Sequence, residues 1–490
     1  MAYLLGIDQG TTQTTAVVLD ESGQLMATRS VRLSTRFPRP GWVEQDPWEI
    51  LQSVRDAVVP LVETYRPIHA VGFDNQGETF LLWDSFSGQP LTPAIVWQDK
   101  RGVSVCTELA GKMDPGWLRQ KTGLLLDSYF SAPKLCFQLA NDPSLREAAR
   151  NGRLRFGTVE SWVLWNLSQG HLHVTDPSTA SRTLLFDIHR LEWDDDLLHL
   201  FEVPRAILPE IRPSAGYVGE LDFGAGRKLP LYALLVDQQA ALFGQACFAP
   251  GDMKCTFGTG SFLLMNTGQT PRLSRHGLLT TVAWQLPDRT TSYALDGGVF
   301  VTGAAIEWLV ESLKLLPDAP ASAQEAEQST DREVIFVPAL AGLGAPHWQP
   351  EARGAFFGLS RASTAADLVR ATLEGIACRV YEVVRAMEQD AGYQIRLLKV
   401  DGGPSGNRYL MQFLADLLGV EVQVAAAREA TAVGVANLAG HAALGTSFSE
   451  LSARWRSEAI YAPQMSEAKR RWHLDRWQRA MGAVRHFHGS

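Results

Sequence analysis

Two acidic residues and two threonine-glycine turns are the groups best suited to chemistry in this chain. Asp8 ends an apolar run, Tyr3 to Ile7, and opens the turn Asp8-Gln9-Gly10-Thr11-Thr12. A carboxylate at a strand end followed by two hydroxyls can orient a hydrated Mg²⁺ and the phosphates riding on it; the same residues also make a good plain turn. Asp237 follows a second apolar run, Tyr232 to Val236, and precedes a helical pattern from Gln238 to Ala246. An acid at such a junction faces ligand in α/β proteins, and Asp is equally a favoured helix N-cap. Gly258-Thr259-Gly260 joins the strand-like runs Met253 to Phe257 and Phe262 to Met265. Its amides and hydroxyl could cradle a phosphate, or it could be an ordinary hairpin turn.

The likeness of the two turns is more informative than either alone. Each sits in a strand, Gly/Thr turn, strand unit, one opening each half of the chain. A repeated unit of this kind can grip one nucleotide from two sides. Leu397 to Val400 is a further strand, ending in Asp401-Gly402-Gly403 ahead of a helix from Asn407 to Leu418, an amide-rich site for an anion or adenosine.

The surrounding elements follow from periodicity and punctuation. Pro47 begins a helix running to about Tyr65. Val71 to Asn75 is a strand that delivers Gln76-Gly77-Glu78-Thr79. Glu78 could bind hydroxyls or be a solvated turn carboxylate; Trp97 and Tyr129 could wall a polyol pocket or fill the core. Phe156 to Leu167 reads as helical, His173 to Leu184 as a polar loop, and His171 and His173 as surface residues. Gly303 to Leu316 reads as a helix and Pro317 to Thr330 as a surface connection. Thr364 and Asp367 cap an amphipathic helix with a core-facing stripe. Glu429 to Ala443 is a small-residue helix that would let another backbone approach closely.

Composition bounds the rest. A chain of 490 residues is too long for one core and implies two or three domains. A net charge of -8 disfavours nucleic acid and anionic membrane as partners. The five cysteines form no C-x-x-C pair, so neither a zinc site nor a disulfide framework is indicated, and a reducing cytoplasm is expected. The amino terminus has no basic leader, and no apolar run reaches spanning length.

Taken in order, GIDQGTT, NQGETFLLWD, DSYFS, ASRTLLFDIH, VDQQAALFGQ, FGTGSFLLMNTG, PALAGLGAPHW, VDGGPSGNRYLMQF and EATAVGVANLAG make the chain resemble the FGGY family of carbohydrate kinases. The resemblance implies an α/β fold of two ribonuclease-H-like (actin-like ATPase) lobes with the active site in the cleft between them. It implies a polyol-binding lobe over residues 1–246, with the first phosphate turn, and a nucleotide-binding lobe over residues 247–490. ATP, Mg²⁺ and a small polyol or sugar are the implied ligands, glycerol first among them, in a homodimer or homotetramer. Under it Asp237 is similar to the general base, Asp8 to the acid that orients Mg²⁺, and Glu78, Gly77, Trp97, Tyr129, Gln238 and Phe262 to polyol-pocket positions. Thr11, Thr12, Gln13, Thr259, Gly303, Glu307, Gly403 and Asn407 match nucleotide contacts.

Three positions depart from that pattern. Gly77 and Thr15 stand where arginines are expected, and Glu307 where a glutamine is. Loss of an arginine fork, with the volume Gly77 is expected to empty, suggests a four- or five-carbon polyol or ketose as the alternative to glycerol. A nucleotide- or polyol-binding sensor would show decay at Asp8 or Asp237, and both acids are present. An actin- or chaperone-like ATPase would have no use for the Glu78, Trp97, Tyr129 set.

Overall fold

The computed structural model describes residues 2–330 and 332–488. Strands β1 (Tyr3–Gln9), β2 (Gln13–Asp20), β3 (Leu25–Arg32), β4 (Ile68–Asn75), β5 (Ala215–Asp222) and β6 (Lys228–Val236) form one sheet in the order β5-β6-β4-β1-β2-β3. β1, β4 and β6 run parallel, while β2, β3 and β5 are antiparallel to their neighbours. Helix α1 (Pro47–Thr64) begins with Pro47 behind an Asp46 cap and buries its apolar stripe on β2 and β3. Helix α2 (Asp237–Gly244) leaves the end of β6.

The second sheet repeats the plan. β7 (Met253–Phe257), β8 (Ser261–Gly268), β9 (Leu279–Gln285), β10 (Thr291–Val299), β11 (Leu397–Asp401), β12 (Glu421–Ala425) and β13 (Ser457–Tyr461) lie in the order β9-β10-β8-β7-β11-β12-β13. β7 pairs antiparallel with β8 and parallel with β11, as β1 does with β2 and β4. The two Gly/Thr turns therefore occupy equivalent corners of two α/β lobes. Helices α3 (Gly303–Glu311), α4 (Ala365–Ala391) and α5 (Arg408–Leu418) cover this second sheet. The Thr364–Asp367 capping box forms, and Val369, Leu373, Ile376, Val380 and Val383 are all buried.

Helix α6 (Ala430–Leu444), from late in the chain, packs on the first sheet and on α2. A Cβ on Gly6 would lie 2.0 Å from Ala432 O, and one on Gly72 2.1 Å from Val435 O. Gly244 and Gly434 meet the opposing carbonyls of Ala430 and Ala240 in the same way, at 2.0 Å each. Glycine is required here because the α6 backbone touches those of the strands and of α2 with no side chain between them. Leu4, Ala70, Leu235 and Ala240 share one buried cluster with Val435, Ala436, Leu438 and Ala439.

The fold corrects several local expectations. Leu154–Thr158 is a strand, paired antiparallel with Phe80–Asp84, and only Val159–Leu167 is helical; a short apolar run does not declare its period. The stretch from Val174 to Leu184 is buried throughout. His173 packs on Trp83 and Trp165, at 5.3 and 5.9 Å, and burial pushes its imidazole down to about 4. Helix α3 stops at Glu311, and the connection after it carries a helix of its own, Ala321–Gln328. Among the described residues, no helix is long and apolar enough to cross a membrane.

Candidate active site

The carboxyl ends of three parallel strands bring the acids together. β1 and β4 are in register so that Asp8 lies opposite Asp74, and β6 sets Leu235 against Asp74 before turning into Asp237. Asp237 is the first residue of α2 and not its cap; its Oδ1 accepts from the Gln238 amide at 2.7 Å. Burial raises the Asp237 carboxyl above its usual range, against the pull of that amide and of the Lys254 charge. Burial and the neighbouring Asp237 hold Asp8 up at about 7. Asp74 is likewise pushed well above its usual range, by burial and then by Asp8. The corner carries more negative charge than it can comfortably ionise.

A wall of polar and aromatic side chains adjoins these acids. Glu78 is held in the left-handed region, φ 62°, by the Thr79 amide bonding to Gly77 O and by Ser131 Oγ donating to Glu78 O at 2.9 Å. Such strain is tolerated where the surroundings over-determine it. Arg182 Nε donates to Glu78 Oε1 at 2.7 Å, and both residues are buried. Burial nevertheless raises Glu78 to about 7. Arg182 Nη1 lies 3.0 Å from Asp296 Oδ2 as an ion pair, yet it is misaligned for a hydrogen bond and its N–H groups have no acceptor. Trp97 and Tyr129 meet edge to face at 5.6 Å, with the guanidinium 6.0 Å from the Tyr129 ring. Lys134 Nζ donates to the carbonyls of Ser128 and Tyr129 at 2.9 and 2.6 Å, which fixes that segment. Gln238 Oε1 accepts from Lys254 Nζ at 2.6 Å. Phe262 packs on Gly298, its ring edge 3.5 Å from where a Cβ would stand.

Sequence reasoning missed Arg182 and Asp74. Gly77 also behaves differently from expectation: a Cβ there would lie 2.8 Å from Val236 Cγ2 and 3.9 Å from Arg182 Cγ. The volume is filled, by Val236 and the stem of Arg182.

The residues expected to meet the nucleotide lie at the two repeated corners and at the start of α5. Thr11 Oγ1 accepts from Trp97 Nε1 at 3.0 Å, while Thr12 and Gln13 are exposed and Gln13 Nε2 reaches Thr15 Oγ1 at 3.3 Å. Thr15 is buried in β2, opposite Asp8 of β1, with its hydroxyl 3.0 Å from Ser30 Oγ. Thr259 is exposed on its turn, which the start of α3 clamps through Thr302 N to Thr259 O, 2.9 Å, and Gly303 N to Gly258 O, 3.0 Å. Gly303 is a packing glycine, since its Cβ would meet Gly258 O at 2.6 Å. Gly403 is open and begins a 3₁₀ turn, Gly403–Gly406. Asn407 caps α5, which starts at Arg408, its Oδ1 accepting from Leu410 N and its Nδ2 donating to Ser322. Glu307 is exposed on α3.

The acids also suit a divalent cation. Mg²⁺ favours one or two carboxylates completed by water and phosphate oxygens. Asp8 and Asp74 supply that number, and both Asp74 oxygens are buried with no hydrogen-bond donor. Among the described residues no group of three or more His, Cys, Asp or Glu could hold a metal.

Two family models match almost end to end. The N-terminal domain of the FGGY family of carbohydrate kinases matches residues 3–244 and the C-terminal domain residues 253–443. The chain belongs to the FGGY family of carbohydrate kinases and is an ATP-dependent kinase with the actin-like ATPase fold. It is 47% identical to a glycerol kinase of Thermus brockianus over 487 residues, covering 98% of each protein. It is 44% identical to a glycerol kinase of Halorhodospira halophila over 486 residues, 98% of this chain and 96% of that one. The solved glycerol kinase of Plasmodium falciparum with ADP superposes with a TM-score of 0.93 at 33% identity, covering 99% of this chain and 98% of that one.

Proposed function

We propose that this kinase transfers the γ-phosphoryl group of ATP to a terminal hydroxyl of glycerol, giving glycerol 3-phosphate. Full-length identity to glycerol kinases supports the substrate. Arg182 is the observation that carries the reading: it is a buried guanidinium held on Glu78, with its Nη1 ion-paired to Asp296 but not hydrogen-bonded to it. It supplies the fork of donors expected at Gly77. With the space at Gly77 filled by Val236, nothing calls for a larger polyol.

In this reading Glu78 and Arg182 hold two hydroxyls, and Trp97, Tyr129 and Phe262 pack on the carbon chain. Asp237 takes the proton of the attacking hydroxyl; phosphoryl transfer needs little beyond such a base, positioning and neutralised charge. Gln238, tied to Lys254, steadies the start of α2. Thr11, Thr12, Thr259 and the amides near Gly403 receive the phosphates, with Gln13, Gly303, Glu307 and Asn407 around the nucleotide. Asp8 orients Mg²⁺, which when bound neutralises phosphate charge. Residues 1–246 form the polyol lobe and residues 247–490 the nucleotide lobe. The enzyme is cytoplasmic, where ATP is held, and a homodimer or homotetramer, which sedimentation resolves.

The test is ADP release from ATP·Mg²⁺ with glycerol, dihydroxyacetone, erythritol, ribitol and xylulose. Glycerol should give the highest kcat/KM, and Asp237→Asn should lower kcat by about 10²- to 10⁴-fold, the usual worth of a positioned base. A longer polyol with the higher kcat/KM would overturn the substrate, and an undiminished Asp237→Asn the base.

A further inference from the structure

Asp74 is buried without any of the compensations that other buried acids in this protein receive. It is 0% exposed, and neither carboxylate oxygen has a hydrogen-bond donor. The groups that act on it, Asp8 and Asp237, are both acids, and the Asp74 and Asp8 carboxyls can share a hydrogen bond only while one of them keeps a proton. Asp176, equally buried, accepts from the amides of Ser178 and Thr179 and from Ser214 Oγ at 2.6 Å. Asp99, 1% exposed, is paired with Arg101 at 2.8 Å. A carboxylate removed from water and left unpaired is among the costliest arrangements in a fold. Asp74 faces the corner where phosphates and their cation are expected, since strand register sets it beside Asp8.

We propose that Asp74 is a second carboxylate of the cation site, acting with Asp8 on the divalent ion that arrives with the nucleotide phosphates. This rests on the kinase reading. One carboxylate leaves most ligand positions of a hard cation to water; a second raises the charge offered and fixes the direction from which the first one points. The ion in turn compensates a side chain that the protein alone leaves uncompensated. In its ionised form Asp74 is thus compensated by the loaded enzyme and not by the protein's own groups.

The test uses Mn²⁺ as probe and binding as readout. Free Mn²⁺ is followed by electron paramagnetic resonance as it is titrated into the full-length enzyme with saturating ADP, for wild type, Asp74→Asn, Asp74→Ser and, as reference, Asp8→Asn. ADP affinity without metal, in EDTA, is measured by calorimetry on the same proteins. Both Asp74 variants should bind Mn²⁺ at least tenfold more weakly than wild type and keep their metal-free ADP affinity. Mn²⁺ affinity within twofold of wild type, or tighter, in either folded variant overturns the role of Asp74 alone. Wild type that takes up no Mn²⁺ with ADP overturns the cation site itself. Circular dichroism identifies the folded variants, and the serine substitution stands in should the asparagine disturb the strand.

Discussion

The indole N–H of Trp97 donates to Thr11 Oγ1 at 3.0 Å. One side chain therefore belongs to two places: its ring packs beside Tyr129 on the wall proposed for the polyol, and its nitrogen holds the turn proposed for the phosphates. A bond between groups serving different substrates couples their positions. Trp97→Phe keeps the wall and removes the bond, and Thr11→Val removes it from the other side. Each should lower kcat about fivefold to tenfold, since one hydrogen bond contributes roughly 1 kcal/mol. The double variant should lose little more than either single one, and strict additivity in the cycle would refute the coupling.

Gly77 and Val236 share one volume. Gly77→Arg alone must displace Val236 Cγ2, which a Cβ would approach to 2.8 Å in a fully packed setting. Overpacking of this kind costs about 1–3 kcal/mol. The single variant should melt lower and have a raised KM for glycerol. Gly77→Arg with Val236→Gly should recover most of both, and a well-behaved single variant would show that the volume is not shared.

Arg182 holds Glu78 and Asp296 in register across the two halves of the chain. Arg182→Met would leave two buried carboxylates facing each other, and breaking a buried pair costs about 3–5 kcal/mol. Urea unfolding should report a loss of that size, partly recovered by adding Glu78→Gln. Arg182→Lys should keep more of the stability while losing the fork, so that KM for glycerol rises at least tenfold. Unchanged glycerol KM in Arg182→Lys would remove Arg182 from the pocket.

Glu160 gives a pH signature of stability. Burial lifts its carboxyl from 4.5 to about 7, against hydrogen bonds from Thr158 and Thr175, and its Oε2 has no partner. The folded state thus holds a proton that the unfolded state gives up above the ordinary range. The contribution to stability is complete below pH 4.5 and is lost as pH rises through 7. Glu160→Gln cannot titrate, so its stability relative to wild type should rise between pH 5 and 8 by on the order of 2–3 kcal/mol. A constant difference between the two proteins across that range would contradict the buried proton.

Much of the site was legible because its residues break the local pattern. Asp8 and Asp237 each end an apolar run, and Thr259 sits in a glycine turn, so each asks for an explanation beyond packing. Arg182 was hidden for the opposite reason. Its neighbours, HVTDPSTASRT, look like a solvated loop, yet they are buried because their polar groups satisfy one another: Asp176 with Ser178, Thr179 and Ser214, and Ser181 with Thr281. Mutual satisfaction leaves no mark on hydropathy. Asp74 lies inside a predicted strand, and only the pairing of β4 with β1 sets it beside Asp8. Register between strands far apart in the chain is a tertiary fact. The change from strand to helix at Val159 was missed because both states of that apolar run are buried.

Helix α6 has a consequence for how this protein comes into being. The face of β1 and β4 that holds Gly6 and Gly72 receives its cover only when residues 430–444 arrive. While the chain is being synthesised, those strands exist for most of its length with part of their apolar surface bare. A fragment of residues 1–246 should therefore be readily digested and bind a hydrophobic dye, and the intact chain should become protease-resistant only after its last segments have left the ribosome. Folding is in this sense closed from the end of the message backwards.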